Sequence, residues 1–148
     1  MTSRFADKVV LVTGAGSGIG HRTALTFAND GAKVIVSDIN ANTGQTTVDE
    51  IKANSGNSIF VQMDVSKSEE VKSGIVRGIQ HFGRLDCAVN NAGIGGRLSP
   101  TADIDMADWD KVLAVNLTGV WNCMKYEIPR CLNRNPNALS SMFLPSQD

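Results

Sequence analysis

The apolar run Val9-Val10-Leu11-Val12 leads straight into Thr13-Gly14-Ala15-Gly16-Ser17-Gly18-Ile19-Gly20. A run of that kind followed by so many glycines predicts a buried strand that turns sharply into a helix. Gly14 suits the tight turn, Gly18 lets main-chain N–H groups come close to a bulky ligand, and Gly20 lets the new helix pack on its strand. The first N–H groups of the helix point at the same spot and its dipole adds a partial positive charge. An anion such as a diphosphate is therefore stabilised there without any basic side chain. The spacing is Gly-x-x-x-Gly-x-Gly, with Ile19 standing where the commoner Gly-x-Gly-x-x-Gly has its last glycine. Taken alone, the loop is equally compatible with an ordinary glycine-rich turn.

The rest of the chain repeats the strand signal at an even interval. Val9–Val12, Val34–Val36, Ile59–Val61 and Leu85–Val89 start 25, 25 and 26 residues apart. That is room for a strand and a crossover helix, and the runs are continuous rather than alternating, as in a parallel sheet covered on both faces. Ser66-Lys67-Ser68-Glu69 reads as a capping box ahead of Val71, Ile75 and Ile79, and His81-Phe82-Gly83 closes that helix with a cation and a glycine. Asn40–Asn54 is a more polar helix. A long helix is predicted from Asp105 to Arg134. Its buried face is expected to be Trp109, Val112, Leu113, Leu117, Val120, Trp121, Met124, Ile128 and Leu132, with Pro129 bending its last turns. The fold expected is α/β, a Rossmann-type doubly wound parallel sheet that stops after the fourth strand and its following helix. Residues 1–134 make up that partial domain. Residues 135–148 are expected to be an irregular tail, although Ser140–Leu144 could form a short strand.

Composition narrows the function classes. The 148 residues suit one domain, and a net charge of -1 without a Lys/Arg cluster does not favour nucleic acid or an anionic membrane. Residues 1–8 carry no apolar signal segment, and no apolar run approaches the ~20 residues of a membrane span. Cys87, Cys123 and Cys131 are odd in number and fall in predicted core elements, which fits reduced thiols and a cytoplasmic location. No His pairs with them at zinc-ligand spacing, so no metal site is expected.

Asp38 ends the second strand, 18 residues after Gly20. A carboxylate there either caps the next turn or accepts hydrogen bonds from both adenosine ribose hydroxyls. Its charge also repels a 2′-phosphate, and residues 15–19 and 37–43 include no Arg or Lys to welcome one. NAD is thus favoured over NADP. Asp64-Val65 ends the third strand and Asn90-Asn91-Ala92-Gly93 the fourth. The carboxyl ends of parallel strands converge on one crevice, although each segment alone could be an ordinary Asx turn. Asn116, four residues from both Val112 and Val120, is expected to be a buried amide that pins backbone or holds a water.

These motifs, with Val115-Asn116-Leu117, together resemble the short-chain dehydrogenases/reductases over about Phe5 to Leu132. The resemblance implies an oxidoreductase that moves hydride between NAD and an alcohol or carbonyl. It places Gly14, Ser17, Gly18, Ile19 and Gly20 on the pyrophosphate and Asp38, with its neighbour Ile39, beside the ribose. Asp64 and Val65 would flank the adenine, and Asn90, Ala92 and Gly93 would line the ribose side of the fourth strand. Asn116 would support a proton-relay water beside the catalytic lysine. The family's Ser and Tyr-x-x-x-Lys segment has no counterpart here. The single tyrosine, Tyr126, is followed four residues later by Arg130, lies only ten residues past Asn116, and Arg cannot titrate as Lys does. The chain is thus expected to be inactive by itself and to hold at most the ADP part of NAD. The alternative is a non-catalytic nucleotide-binding or interaction module that pairs with a full-length relative. Either way the hydrophobic edge strand Leu85–Val89 and the long helix predict self-association.

Overall fold

The computed structural model describes residues 3–133, so the proposed tail and the Ser140–Leu144 strand lie outside the described residues. Each apolar run becomes a strand: β1 (Val9–Thr13), β2 (Lys33–Asp38), β3 (Asn57–Gln62) and β4 (Cys87–Val89). They pair in parallel in the order β3-β2-β1-β4, with Leu11 opposite Ile35 on one side and Ala88 on the other. The helices α1 (Gly18–Asn29) and α2 (Ala41–Ala53) cross on one face, and α3 (Ser68–Phe82) on the other. Right-handed crossovers require this arrangement, because the chain moves one way through β1, β2 and β3 and then returns to place β4 beside β1.

The strands read as unbroken apolar runs because both faces are covered. Val10, Val12, Val34 and Val36 pack with Ala24, Leu25, Val48 and Ile51 of α1 and α2. Val9, Leu11, Ile35 and Val61 pack with Val71 and Ile75 of α3 and Cys123 of a later helix. Small residues let the helices sit close. A Cβ on Gly78 would lie 2.6 Å from the Ile35 side chain.

The helix starts differ from one another in a way that matters at the crevice. Asn40 caps α2, its side-chain oxygen accepting from Asn42 N–H at 3.0 Å and Thr43 N–H at 3.3 Å. The expected capping box on α3 does not form. Lys67 is the N-cap, and the Ser66 hydroxyl instead donates to Asp64 Oδ1 at 2.7 Å. The carboxylate two residues back is the stronger acceptor, and Glu69 and Glu70 support the helix start through its dipole. The far end closes as expected, on Gly83 at φ 79°.

The predicted long helix forms in three pieces: α4 (Met106–Leu113), one wide π-helical turn (Ala114–Thr118) and α5 (Gly119–Leu132), with Pro129 inside α5. Its buried side is not the expected one. Gly119, Asn122, Cys123 and Glu127 face the protein, whereas Trp109 (52% exposed), Leu117 (64%) and Trp121 (54%) face outward. The contacts explain the rotation. Asn122 donates to the Val65 carbonyl at 2.9 Å, and Gly119 lets the helix approach so closely that a Cβ there would sit 2.7 Å from Val65 Cγ2. Polar and small residues dock α5, while Val112, Leu113, Val120, Met124, Ile128 and Leu132 are half-buried and Trp109, Leu117 and Trp121 remain exposed.

Candidate dinucleotide site

The site lies where the sheet changes direction, between the loop after β1 and the loop after β4. A crevice of about 420 Å³ opens there. Open parallel sheets bind ligands at this switch point because the two loops diverge and leave a gap between them. Of the sequence-nominated residues, Gly14, Ser17, Gly18, Ile19, Asp38, Ile39, Asp64, Val65, Ala92 and Gly93 line it. Gly20 lies behind the wall and Asn90 points elsewhere.

The glycines act in distinct ways. Gly14 has φ 63° and Gly18 φ 55°, a backbone region that L side chains rarely adopt. A Cβ on Gly14 would also come within 2.8 Å of Ala92 Cα, while one on Gly18 would meet nothing, so open space lies in front of the first helical turn. At Gly20 a Cβ would sit 2.2 Å from the Gly14 carbonyl oxygen, so the helix can start only with glycine there. Ser17 and Ile19 are exposed at the same turn.

Asp38 stands at the adjacent wall. Its Oδ2 accepts Gly16 N–H at 2.8 Å and its Oδ1 accepts Asn40 N–H at 2.9 Å. Each carboxylate oxygen has a lone pair left for a further donor. One side chain thus ties the glycine turn to the start of α2 and still faces the crevice. Gly16 is needed for this closeness, because a Cβ would lie 2.8 Å from Asp38 Oδ2. At the third strand, Asp64 Oδ1 accepts both Ser66 N–H (3.0 Å) and its hydroxyl, while Lys67 lies 3.7 Å from Oδ2. Beside them the ammonium of Lys67 holds Glu70 below the usual carboxylate range, second to the backbone N–H of Asp64 that Glu70 accepts.

After β4 the neighbouring asparagines divide the work. The Asn91 amide donates to the carbonyls of Thr13 (3.1 Å) and Gly14 (3.2 Å). The buried Thr13 hydroxyl oxygen in turn accepts from the N–H groups of Asn91 and Ala92, each at 3.1 Å. Thr13 and Asn91 therefore clamp the two loops together, a role that sequence reasoning did not assign to either. Asn90 instead donates to Glu127 Oε2 of α5 at 2.9 Å. Glu127 is 3% exposed and its Oε1, like Asn90 Oδ1, has no partner among the described residues. Burial therefore pushes the Glu127 carboxyl above its ordinary range, with the Asn90 hydrogen bond working the other way. A lone Glu on a helix gives no sequence signal for this. Met63 and Ile94 also line the crevice without having been singled out, and so does Val115 of the Val115-Asn116-Leu117 motif.

Asn116 sits in the π-helical turn and is exposed rather than buried. It does pin backbone: its Oδ1 accepts Ile94 N–H at 2.8 Å and its Nδ2 donates to the Ile94 carbonyl at 2.9 Å. The chain after Gly93 is thereby held over the crevice. Tyr126 is turned away from it, its hydroxyl 3.0 Å from Ser68 Oγ on α3. The three cysteines are free thiols, and burial pushes Cys123 up to about 12 and Cys131 up to about 11. Among the described residues no group of His, Cys, Asp and Glu could hold a metal ion, and no helix is long and apolar enough to cross a membrane.

Residues 8–137 match the family model of the short chain dehydrogenases. The chain is 44% identical over 128 residues to a short chain dehydrogenase/reductase, astE, of Aspergillus oryzae, covering 86% of this chain and 49% of that protein. It is 40% identical to a cyclohexanol dehydrogenase of Acinetobacter over 94% of its own length and 55% of the relative's. The crystal structure of a hydroxysteroid dehydrogenase from Escherichia coli superposes with a TM-score of 0.84 at 34% identity, over 90% of this chain and 56% of the other. The chain thus spans about half the length of the curated relatives it matches. A four-stranded parallel sheet, a glycine turn at its switch point and this sequence kinship lead to one assignment: the chain belongs to the short-chain dehydrogenase/reductase family.

Proposed function

We propose that this chain holds the ADP half of NAD, and prefers NAD to NADP. The observation that carries the reading is Asp38, a carboxylate fixed at the crevice wall by Gly16 and Asn40, with no basic residue at positions 15–19 or 37–43. Its charge attracts ribose hydroxyls and repels a 2′-phosphate. The cradle fits a diphosphate as well, since the space before Gly18 is open. Ser17, Gly18, Ile19 and Gly20 would present the first N–H groups of α1 to it. Asp64, Val65 and Ile39 would hold the adenine end, and Ala92 and Gly93 the sugar on the other side.

When bound, the nicotinamide supplies hydride exchange with an alcohol or carbonyl carbon. That chemistry also needs a proton donor or acceptor for the substrate oxygen. Tyr126 is the sequence's one tyrosine, and it is engaged with Ser68 away from the crevice. Asn116 would position the segment at Ile94 and, through it, a proton-relay water. The chain by itself is therefore proposed to bind coenzyme without turning it over. Calorimetry with ADP-ribose, NAD and NADP tests this. Near-equal affinity for ADP-ribose and NAD, with weaker binding of NADP, is expected. Much tighter binding of NAD would reveal a nicotinamide pocket and overturn the restriction to the ADP half.

A second reading has its own support. The outward Trp109, Leu117 and Trp121, with the unpaired side of β4 among the described residues, favour self-association or pairing with a full-length relative. Sedimentation across a concentration series, alone and with such a relative, distinguishes the two.

A further inference from the structure

We propose that His21 is a positioning residue for the phosphate turn, acting through the Thr47 hydroxyl on the Ala15 carbonyl. This rests on the reading above that the turn carries the coenzyme's diphosphate. Ala15 is the buried middle of that turn, 0% exposed. Its N–H donates to the Ser37 carbonyl at 2.9 Å, and its own carbonyl accepts from Thr47 Oγ1 at 2.9 Å. Thr47 reaches it from α2, itself 0% exposed.

Proton counting then assigns the ring. The Thr47 hydroxyl has one proton, and its oxygen lies 2.9 Å from the Ala15 carbonyl and 3.2 Å from the Thr43 carbonyl. Both of those neighbours only accept. The third neighbour, His21 Nδ1 at 2.9 Å, must therefore bring its own proton and donate to Thr47. His21 is thus held with a proton on Nδ1. Its Nε2 lies 3.2 Å from Glu50 Oε2 at the surface of α2, a carboxylate that only accepts, so that contact is a hydrogen bond when Nε2 also carries a proton.

The chain of contacts joins Glu50, His21, Thr47 and Ala15, and crosses from α2 to α1 and back to the turn. His21 immediately follows Gly20, on the helix whose first N–H groups face the diphosphate. One imidazole therefore couples the exit of the turn to its centre. Because the hydroxyl can take an acceptor or a donor, only a donor at the Nδ1 position directs the Thr47 proton onto Ala15.

Amide side chains separate the two ends of the ring. Asn places an N–H donor near the Nδ1 position, whereas Gln places one near Nε2. The test uses the full chain with His21→Asn, His21→Gln, Thr47→Ser and Thr47→Val. Nitrogen-15 spectra of the His21 ring are expected to show Nδ1 protonated, with or without ligand. ADP-ribose binding by calorimetry should stay within about twofold of the parent for His21→Asn and Thr47→Ser. It should weaken by about 3- to 10-fold for His21→Gln and Thr47→Val, the effect of one net hydrogen bond. Hydrogen exchange at the Ala15 and Gly16 amides should quicken in His21→Gln and not in His21→Asn, whether or not any ligand binds. An Nδ1 that carries no proton, or His21→Gln with parental affinity and exchange, would overturn the proposal. If the parent does not bind ADP-ribose while the ring and exchange results hold, the coenzyme reading fails and the link to the turn stands. Thr47→Val removes a buried hydroxyl, so if it does not fold the His21 pair at the helix surface decides.

Discussion

The two sides of β1 carry the same sequence signal and come to different ends. On the β2 side, β2 is paired along both edges and β3 along one, and helices cover the sheet on both faces. The glycine turn there is braced at three successive residues: Ala15 by Ser37 and Thr47, Gly16 by Asp38, Gly14 by Asn91. On the β4 side the strand is three residues long, half-buried throughout, and pairs only with β1 among the described residues. The helices after it bury the Glu127 carboxyl, whose Oε1 has no partner among the described residues, and expose Trp109 and Trp121. The contrast teaches that the glycine turn is held from within the described residues, while the far side of the sheet is more open. Both sides keep a buried oxygen with no partner among the described residues, Ser37 Oγ on the β2 side and Asn90 Oδ1 and Glu127 Oε1 on the β4 side, but only the β4 side also leaves Trp109, Leu117 and Trp121 turned outward.

Substitutions on the two sides should break or sharpen this contrast. The largest effect is expected at Gly20→Ala, where a methyl meets the Gly14 carbonyl at 2.2 Å and neither backbone can yield. Unfolding free energy in urea should fall by about 3 kcal/mol. Gly119→Ala on the other side presses on the Val65 side chain and meets backbone only at the Ala114 carbonyl, 3.4 Å away, so it should cost about half of that; an equal loss would erase the contrast. Next comes Asp38→Ala, which frees the N–H groups of Gly16 and Asn40 and removes the proposed ribose acceptor. ADP-ribose affinity should drop by roughly 10- to 100-fold, as for a lost charged hydrogen-bond partner, and calorimetry reads it directly.

Glu127→Gln probes the open side and has a definite pH sign. The ordinary value of the carboxyl is 4.5, and burial raises it in the folded chain. The unfolded chain therefore releases this proton first. The group's favourable contribution is full below that ordinary value, is lost as pH rises from there through the folded titration, and then levels off. The variant keeps the Asn90 hydrogen bond but has no charge to bury. It should gain about 1 kcal/mol over the parent at pH 8 and nothing at pH 4, by paired urea melts. A difference that does not change with pH would mean the carboxyl is hydrated. The smallest effect is expected for Trp121→Ser, less than about 0.5 kcal/mol in unfolding of the monomer, because the ring packs mainly under Lys125 at 5.2 Å. The same variant should lower the weight-average mass in sedimentation. An unchanged mass would argue against association through this face.

The strands and the site were legible for different reasons. Val9–Val12 and its counterparts announced a two-face-covered sheet through local composition, and their boundaries shifted by only a residue or two. The glycine turn and Asp38 were legible because close backbone approach and a strand-end carboxylate leave few alternatives. Ser66 misled, because α3 begins one residue later with Lys67 as its N-cap, and the Ser66 hydroxyl turns to Asp64 instead. The stripe from Trp109 to Leu132 misled more deeply. Periodicity says that a helix has an apolar face, and it does not say whether anything in the chain will meet it.

What the sequence determined by itself was the order of elements, the parallel sheet and the phosphate-type turn, since each depends on residues close together in the chain. Only the tertiary structure decided that Asn91 and Thr13 clamp the two crevice loops, that Thr47 and His21 reach the turn, and that Glu127 is buried beside Asn90. Those contacts join residues 26 to 78 positions apart. A side chain's partner across such a span depends on how helices rotate and sheets twist, which no local pattern records.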